Sequence, residues 1–269
     1  MLDFTFKENY TFEDLLHIME ILRAPGGCMW DREQDHHSIR RNFIEETYEA
    51  IEAIDNDDAV LLQEELGDVL LQVVFHAQME KEKGVFDIQD VADGICKKLI
   101  FRHPHIFGDT KVKSTEEILG NWEDLKKTEK HQQTAADGLE SVARSLPALI
   151  RADKVLKKAS KAGFDWENVS SALAKAHEEL AEVECAFDGD GNLADEIGDL
   201  FFAAVHLARF AGVEPEQALE RATDKFIQRF TAAEQQATAQ NRTFSTMTQA
   251  ELETLWQQAK HAGGQHDQK

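Results

Sequence analysis

Proline, cysteine and long apolar runs are scarce in this chain, and each scarcity excludes something. Only four prolines (Pro25, Pro104, Pro147 and Pro215) interrupt 269 residues, which leaves room for long helices. The three cysteines, Cys28, Cys96 and Cys185, are odd in number and widely spaced, with no CxxC pair. That argues against a disulfide scaffold or a thiolate zinc site and is read as free thiols in a reducing cytoplasm. No stretch reaches the ~18 uncharged apolar residues of a membrane span. The best runs, Val69 to Met79 and Leu200 to Ala208, suit buried helices. Asp3, Lys7, Glu8, Glu13 and Asp14 stand where a secretory signal would need an unbroken apolar core. Positive charge is also short: 29 basic residues face 51 acidic ones, a formal net charge of -22. Such a field repels a phosphate backbone, so duplex nucleic acid is not expected as a partner.

What is present is helix-forming sequence. Phe43, Ile44, Thr47, Tyr48, Ile51 and Ile54 make one stripe at three- and four-residue spacing, and Leu173, Ala176, Leu180, Val183 and Phe187 make another. Strand-like alternation is nearly absent, so the fold class is all-α, with two tandem duplicated helical bundles. A polar stretch beginning at Thr128 reads as a linker over residues 128–140, between an N-terminal domain 1–127 and a C-terminal domain 141–269. The duplication is visible residue by residue. Trp30, Glu45-Glu46-x-x-Glu49, Glu65-Leu66-Gly67-Asp68, Lys98-x-x-x-Arg102 and Trp122-x-x-x-Lys126 recur in order. Their counterparts are Trp166, Glu178-Glu179-x-x-Glu182, Glu196-Ile197-Gly198-Asp199, Lys225-x-x-x-Arg229 and Trp256-x-x-x-Lys260, at offsets of 127 to 136.

The repeated carboxylates carry the chemistry. Glu46 with Glu49 and Glu179 with Glu182 lie at i and i+3 on one helix. Glu65 with Asp68 and Glu196 with Asp199 do the same on the next. Two antiparallel helices can join each set of four into an all-oxygen site suited to Mg2+ or Mn2+. The competing interpretation puts Glu46 and Glu49 on a solvated face opposite the apolar stripe. Against it, Asn42 to Glu80 holds eleven acidic residues and Ala176 to Ala208 holds nine, with no Lys or Arg in either. Glu65, Asp68, Gln72 and His76 also form one polar stripe along an otherwise apolar helix, where unpaired carboxylates are expensive. Gly67 and Gly198 sit mid-helix beside the Asp, at ~1 kcal/mol relative to Ala, which predicts close packing or ligand approach there.

Lys98 with Arg102 and Lys225 with Arg229 are paired at i and i+4, a candidate phosphate clamp across from the carboxylates. Trp122 and Trp256 could stack on a planar base or serve a core equally well. A redox di-iron centre is disfavoured, because the only Glu-x-x-His (Glu33 to His36) has no counterpart in the second half. There is no GxSxG elbow and no GxxxxGK[ST] loop, so nucleotide binding would run through metal and Lys/Arg. A metal-dependent nucleotide sensor and a plain interaction scaffold remain open beside an enzyme.

Gly26-Gly27-Cys28-Met29-Trp30-Asp31, Glu45-Glu46-Thr47-Tyr48-Glu49 and Arg102-His103-Pro104-His105-Ile106-Phe107 resemble the first domain of the two-domain MazG family of nucleoside triphosphate pyrophosphohydrolases. Ser145-Leu146-Pro147-Ala148-Leu149, Gly163-Phe164-Asp165-Trp166 and Lys225-Phe226-Ile227-Gln228-Arg229-Phe230 resemble its second, so the likeness covers nearly the whole chain. It implies a homodimer of helical bundles, Mg2+ dependence, and hydrolysis of (d)NTP to (d)NMP and pyrophosphate, chiefly in the second domain. Carried over by motif, Glu179, Glu182, Glu196 and Asp199 would hold metal. Lys225, Arg229 and Lys175 would bind phosphates, with Trp256 near the nucleotide. Glu178 or Glu179 could take the proton of the attacking water. The first-domain equivalents are Glu46, Glu49, Glu65 and Asp68, with Lys98 and Arg102. The thirteen residues between Glu182 and Glu196 are a short spacer for a second domain of this kind.

Overall fold

The computed structural model describes residues 4–129, 134–189 and 191–263. Regular structure among them is helical, without a strand, and the chain divides into two compact units, Met1–Lys126 and Lys127–Lys269.

The first unit begins with α1 (Phe12–Arg23), α2 (Met29–Glu33), α3 (Arg40–Asp55) and α4 (Ala59–Lys83). It continues with α5 (Ile88–Arg102) and α6 (Pro104–Phe107), and α7 (Thr115–Glu129) runs across the division. Local chemistry sets the ends. Thr11 and Asp14 close a reciprocal cap on α1, and Asp58 accepts the N–H groups of Val60 and Leu61 at the start of α4. Gly84, at φ 70°, stops α4 in the left-handed conformation that glycine adopts without steric cost. The turn after α3 is only three residues long, Asn56 to Asp58, so α3 folds back along α4. Met19, Ile39, Val74, Phe75 and Met79 form the core between α1, the approach to α3 and the second half of α4. Arg23 ties α1 to α4, bonding Glu82 at 2.8 Å with its guanidinium 5.3 Å above the Phe75 ring.

The second unit contains α8 (Ala135–Glu140), α9 (Ala148–Lys161), α10 (Val169–Phe187) and α11 (Leu193–Phe210). α12 (Pro215–Ala239), a 3-10 turn (Phe244–Thr246) and α13 (Gln249–Gly263) follow. α10 packs along α11, α9 lies against α11 and α12, and α13 folds onto α12. Between α10 and α11, Gly189 (φ 104°) and Gly191 (φ 115°) take conformations open to few other residues, which is how so short a spacer reverses the chain.

The α12–α13 pair is packed through Ala233, Ala237, Leu255 and Ala259 and pinned by Glu251. The Arg242 guanidinium, then the Thr248 N–H and hydroxyl, hold the Glu251 carboxyl down at about 2. A depressed carboxylate contributes stability above its unfolded pKa of ~4.3 and loses it as pH falls through the folded value. Glu251→Gln is therefore expected to lower Tm by a few degrees at neutral pH. By circular dichroism its deficit against wild type should shrink between about pH 5 and about pH 3; a deficit constant with pH would sink this account.

Three features differ from the sequence reading. The 128–140 stretch is partly helical: α7 continues to Glu129, and Thr134 with Asp137 caps α8, while residues 130–133 lie outside the described set. Gly67 and Gly198 are exposed, and a Cβ at either would meet nothing within 4 Å, so no packing within their own unit requires them. Apart from Val183 on α10, the apolar stripes are largely uncovered as well. Ile44 is 48% and Ile54 56% exposed on α3, and Leu180 is 45% and Phe187 71% exposed on α10.

Candidate functional site

In the second unit two antiparallel helices bring three of the four expected carboxylates together. Carboxylate oxygens of Glu179 from α10 and of Glu196 and Asp199 from α11 all lie within 4.8 Å of one another. Asn168 starts α10 by accepting the Ser171 N–H, and Asn192 starts α11 by accepting that of Ala194, so both ligand-bearing turns are fixed in register. Glu179 is buried, and its Oε2 has no hydrogen-bond partner among the described residues. Glu182, one turn along α10, is exposed and outside this trio. Partial desolvation of its carboxyl, then the Glu179 carboxylate, pushes the Glu182 pKa up. Oxygen donors alone, one of them buried and unpartnered, are the set a hard divalent cation takes.

Lys175 is not free for other duty in this state. Its ammonium lies 2.8 Å from Glu178 and 2.7 Å from Glu179, and the two carboxylates hold its pKa well above the ordinary lysine range. Glu178 is exposed and faces this lysine rather than the trio.

The first unit repeats the cluster with a different charge balance. Glu46, Glu49 and Glu65 bring oxygens within 4.8 Å of one another. Burial, then Asp68, raises the Glu46 pKa; burial, then Glu49, raises that of Glu65. At the offset that maps Glu46 onto Glu179, the residue matching Lys175 is Asn42, so this cluster has no internal ammonium. Further along α4, Gln72 is buried with its Oε1 unpartnered, and His76 meets His36 at 2.7 Å between Nδ1 atoms.

A cavity of about 410 Å³ opens beside the second cluster, with Lys175, Glu179 and Asp199 on its wall. Phe164, Trp166 and Phe202 also line it, together with His206. Asp165 holds this wall in place. It accepts the Trp166 N–H and His206 Nε2, each at 2.9 Å, and the Arg209 guanidinium. Burial alone would raise the Asp165 pKa, but hydrogen bonds from Ser160, His206 and Arg209 hold it far below the usual range.

Lys225, Arg229 and Trp256 do not line that cavity; they stand on α12 and α13, where Trp256 packs at 5.2 Å from the Phe226 ring. In the first unit Lys98 is exposed, and Arg102 lies 5.2 Å above the Trp122 ring, with Lys126 at 5.0 Å. Thus three carboxylates of each predicted set come together, with Lys175 beside one of them. Asp165, His206 and Phe202 were not singled out by sequence. The Gly163-Phe164-Asp165-Trp166 run marks the loop, but nothing local links Asp165 to a histidine 41 residues away.

The MazG nucleotide pyrophosphohydrolase domain matches residues 34–107 and again 167–232, together just over half the chain. A nucleoside triphosphate pyrophosphohydrolase/pyrophosphatase MazG of Thermotoga maritima is 43% identical over 249 residues, 93% of this chain and 95% of that one. A nucleoside triphosphate pyrophosphohydrolase of Escherichia coli K12 is 41% identical over 91% of this chain and 95% of its own length. The uncharacterized protein YabN of Bacillus subtilis is 44% identical over 93% of this chain but only 52% of its own length. With the domain present twice, each copy carrying a cluster of acidic helical residues, the chain belongs to the MazG nucleotide pyrophosphohydrolase family.

Proposed function

We propose that this chain is a divalent-metal-dependent nucleoside triphosphate pyrophosphohydrolase that converts (d)NTP and water to (d)NMP and pyrophosphate, chiefly in its second unit, and so controls or cleans the nucleotide pool. The observation that carries the reading is the convergence of Glu179, Glu196 and Asp199 beside a cavity large enough for a nucleotide base. Glu179, Glu182, Glu196 and Asp199 would hold Mg2+, or Mn2+ in its place, which supplies charge neutralisation of the triphosphate and an activated water.

The chain's own groups account for the rest. Glu179, or the exposed Glu178 paired with Lys175 beside it, can accept the proton of the attacking water at its carboxylate. Lys175, now paired with the carboxylates, would be free to meet phosphate oxygens once a cation balanced their charge, and Lys225 and Arg229 add fixed positive charge on α12. Trp256 stands with them as a surface for the nucleotide. Glu46, Glu49, Glu65 and Asp68 form a second metal site, with Lys98 and Arg102 as its basic side. The uncovered apolar faces of α3 and α10 favour a homodimer in which a second copy covers them. No helix of the described residues is long and apolar enough to cross a membrane, and three exposed free cysteines suit the cytoplasm.

Incubation with mixed NTPs and Mg2+, followed by ion-exchange separation, is expected to give NMP and pyrophosphate, with EDTA abolishing both. NDP with phosphate would overturn the cleavage position. Bound nucleotide without turnover would replace the enzyme with a sensor.

A further inference from the structure

The aromatic cavity of the second unit has a task that neither the carboxylates nor the basic residues of α12 explain. We propose that it seats the nucleobase of the triphosphate, and that His206 is the side chain that reads the base. The inference rests on the pyrophosphohydrolase reading and adds to it where the base goes and which residue senses it.

The cavity of about 410 Å³ has a composition that a nucleotide matches and a bare polyphosphate does not. Lys175, Glu179 and Asp199 form its charged part. Phe164, Trp166 and Phe202 supply the broad apolar faces that a planar heterocycle covers. One imidazole stands among these rings, that of His206, 6.1 Å from the Trp166 ring.

Asp165 settles which nitrogen of that ring is available. Its carboxylate lies 2.9 Å from His206 Nε2, and Arg209 Nη2 lies 3.1 Å from the same nitrogen, so that side of the ring is occupied within the protein. Nδ1 has no hydrogen-bond partner among the described residues and is the ring nitrogen left for a ligand. The polar edge of a base, with its carbonyl, amino and ring N–H groups, offers that nitrogen a partner. Asp165 is a positioning residue here: the same carboxylate takes the Trp166 N–H, so the loop carrying that ring and the orientation of the imidazole are set together.

The test uses the full chain labelled with 5-fluorotryptophan. It contains four tryptophans, and the Trp166 line is the one missing from Trp166→Phe. With Mg2+, an α,β-methylene nucleoside triphosphate is expected to move the Trp166 line and inorganic tripolyphosphate to leave it in place. A line that moves equally with tripolyphosphate, or stays still with the analogue, overturns the proposal. So does a line that moves with protein concentration alone, because the cavity would then belong to a second copy.

His206→Gln keeps an amide donor for Asp165 but removes Nδ1. It is expected to raise KM for NTPs about tenfold with kcat within about twofold. An unchanged KM, or a loss confined to kcat, removes His206 as the reader. If the nucleotide reading itself is wrong, the wild-type chain releases no NMP in a parallel assay, a result independent of the Trp166 line.

Discussion

Glu196→Gln or Asp199→Asn is expected to lower kcat for NMP release by about a thousandfold or more, while the thermal melt stays within a few degrees of wild type. Both changes keep side-chain volume and remove one negative charge from a group of oxygens confined within 4.8 Å. Without a cation those charges repel, so neutralising one relieves strain in the bare protein and unfolding cannot account for the loss. With a cation, the same change deletes a ligand where charge must be balanced. The matched changes Glu65→Gln and Asp68→Asn in the first unit are expected to leave most turnover intact, because the second unit is assigned the main activity. Wild-type kcat in Glu196→Gln and Asp199→Asn would end the metal assignment on α11.

Lys175→Met should separate two quantities that usually fall together. Mn2+ binding to the second unit, followed by electron paramagnetic resonance in the absence of nucleotide, is expected to tighten by about tenfold. An incoming cation must otherwise displace an ammonium 2.7 Å from Glu179. Over the same substitution kcat/KM for NTPs is expected to fall by about a hundredfold, since a cation that could meet phosphate oxygens is gone. Carrying Glu49→Gln and Glu65→Gln in the background removes the first cluster from the metal signal. Metal affinity that is unchanged or weaker would mean that Lys175 supports the cluster rather than occupying it.

The parts of this architecture that sequence revealed are the ones set by neighbours three and four residues apart. Glu179 with Glu182, and Glu196 with Asp199, share helical faces because the helix repeat puts them there, and the second copy made chance an inadequate explanation. The Lys175 pairing with Glu178 and Glu179 obeys the same rule and was within reach of it. Contacts across the unit were not. Asp165 meets His206 and Arg209 from 41 and 44 residues away, and no periodicity encodes that meeting. Periodicity also marks a face without saying what the face touches. Phe43, Ile44 and Ile54 lie on one stripe of α3 as read, yet the stripe looks to solvent. Gly67 and Gly198 show a related limit: their cost is local and legible, but of the two readings it allowed, close packing finds no neighbour within their own units.

In the proposed homodimer, those open stripes would tie the stability of each molecule to the abundance of its fellows. An Ile or Phe face that gains by being covered makes folding and association parts of one equilibrium, governed by mass action. Dilution would then act on this chain as a mild denaturant. A specific activity measured at nanomolar protein would report assembly along with catalysis, and a cell that made less of the chain would lose activity faster than in proportion to the amount lost.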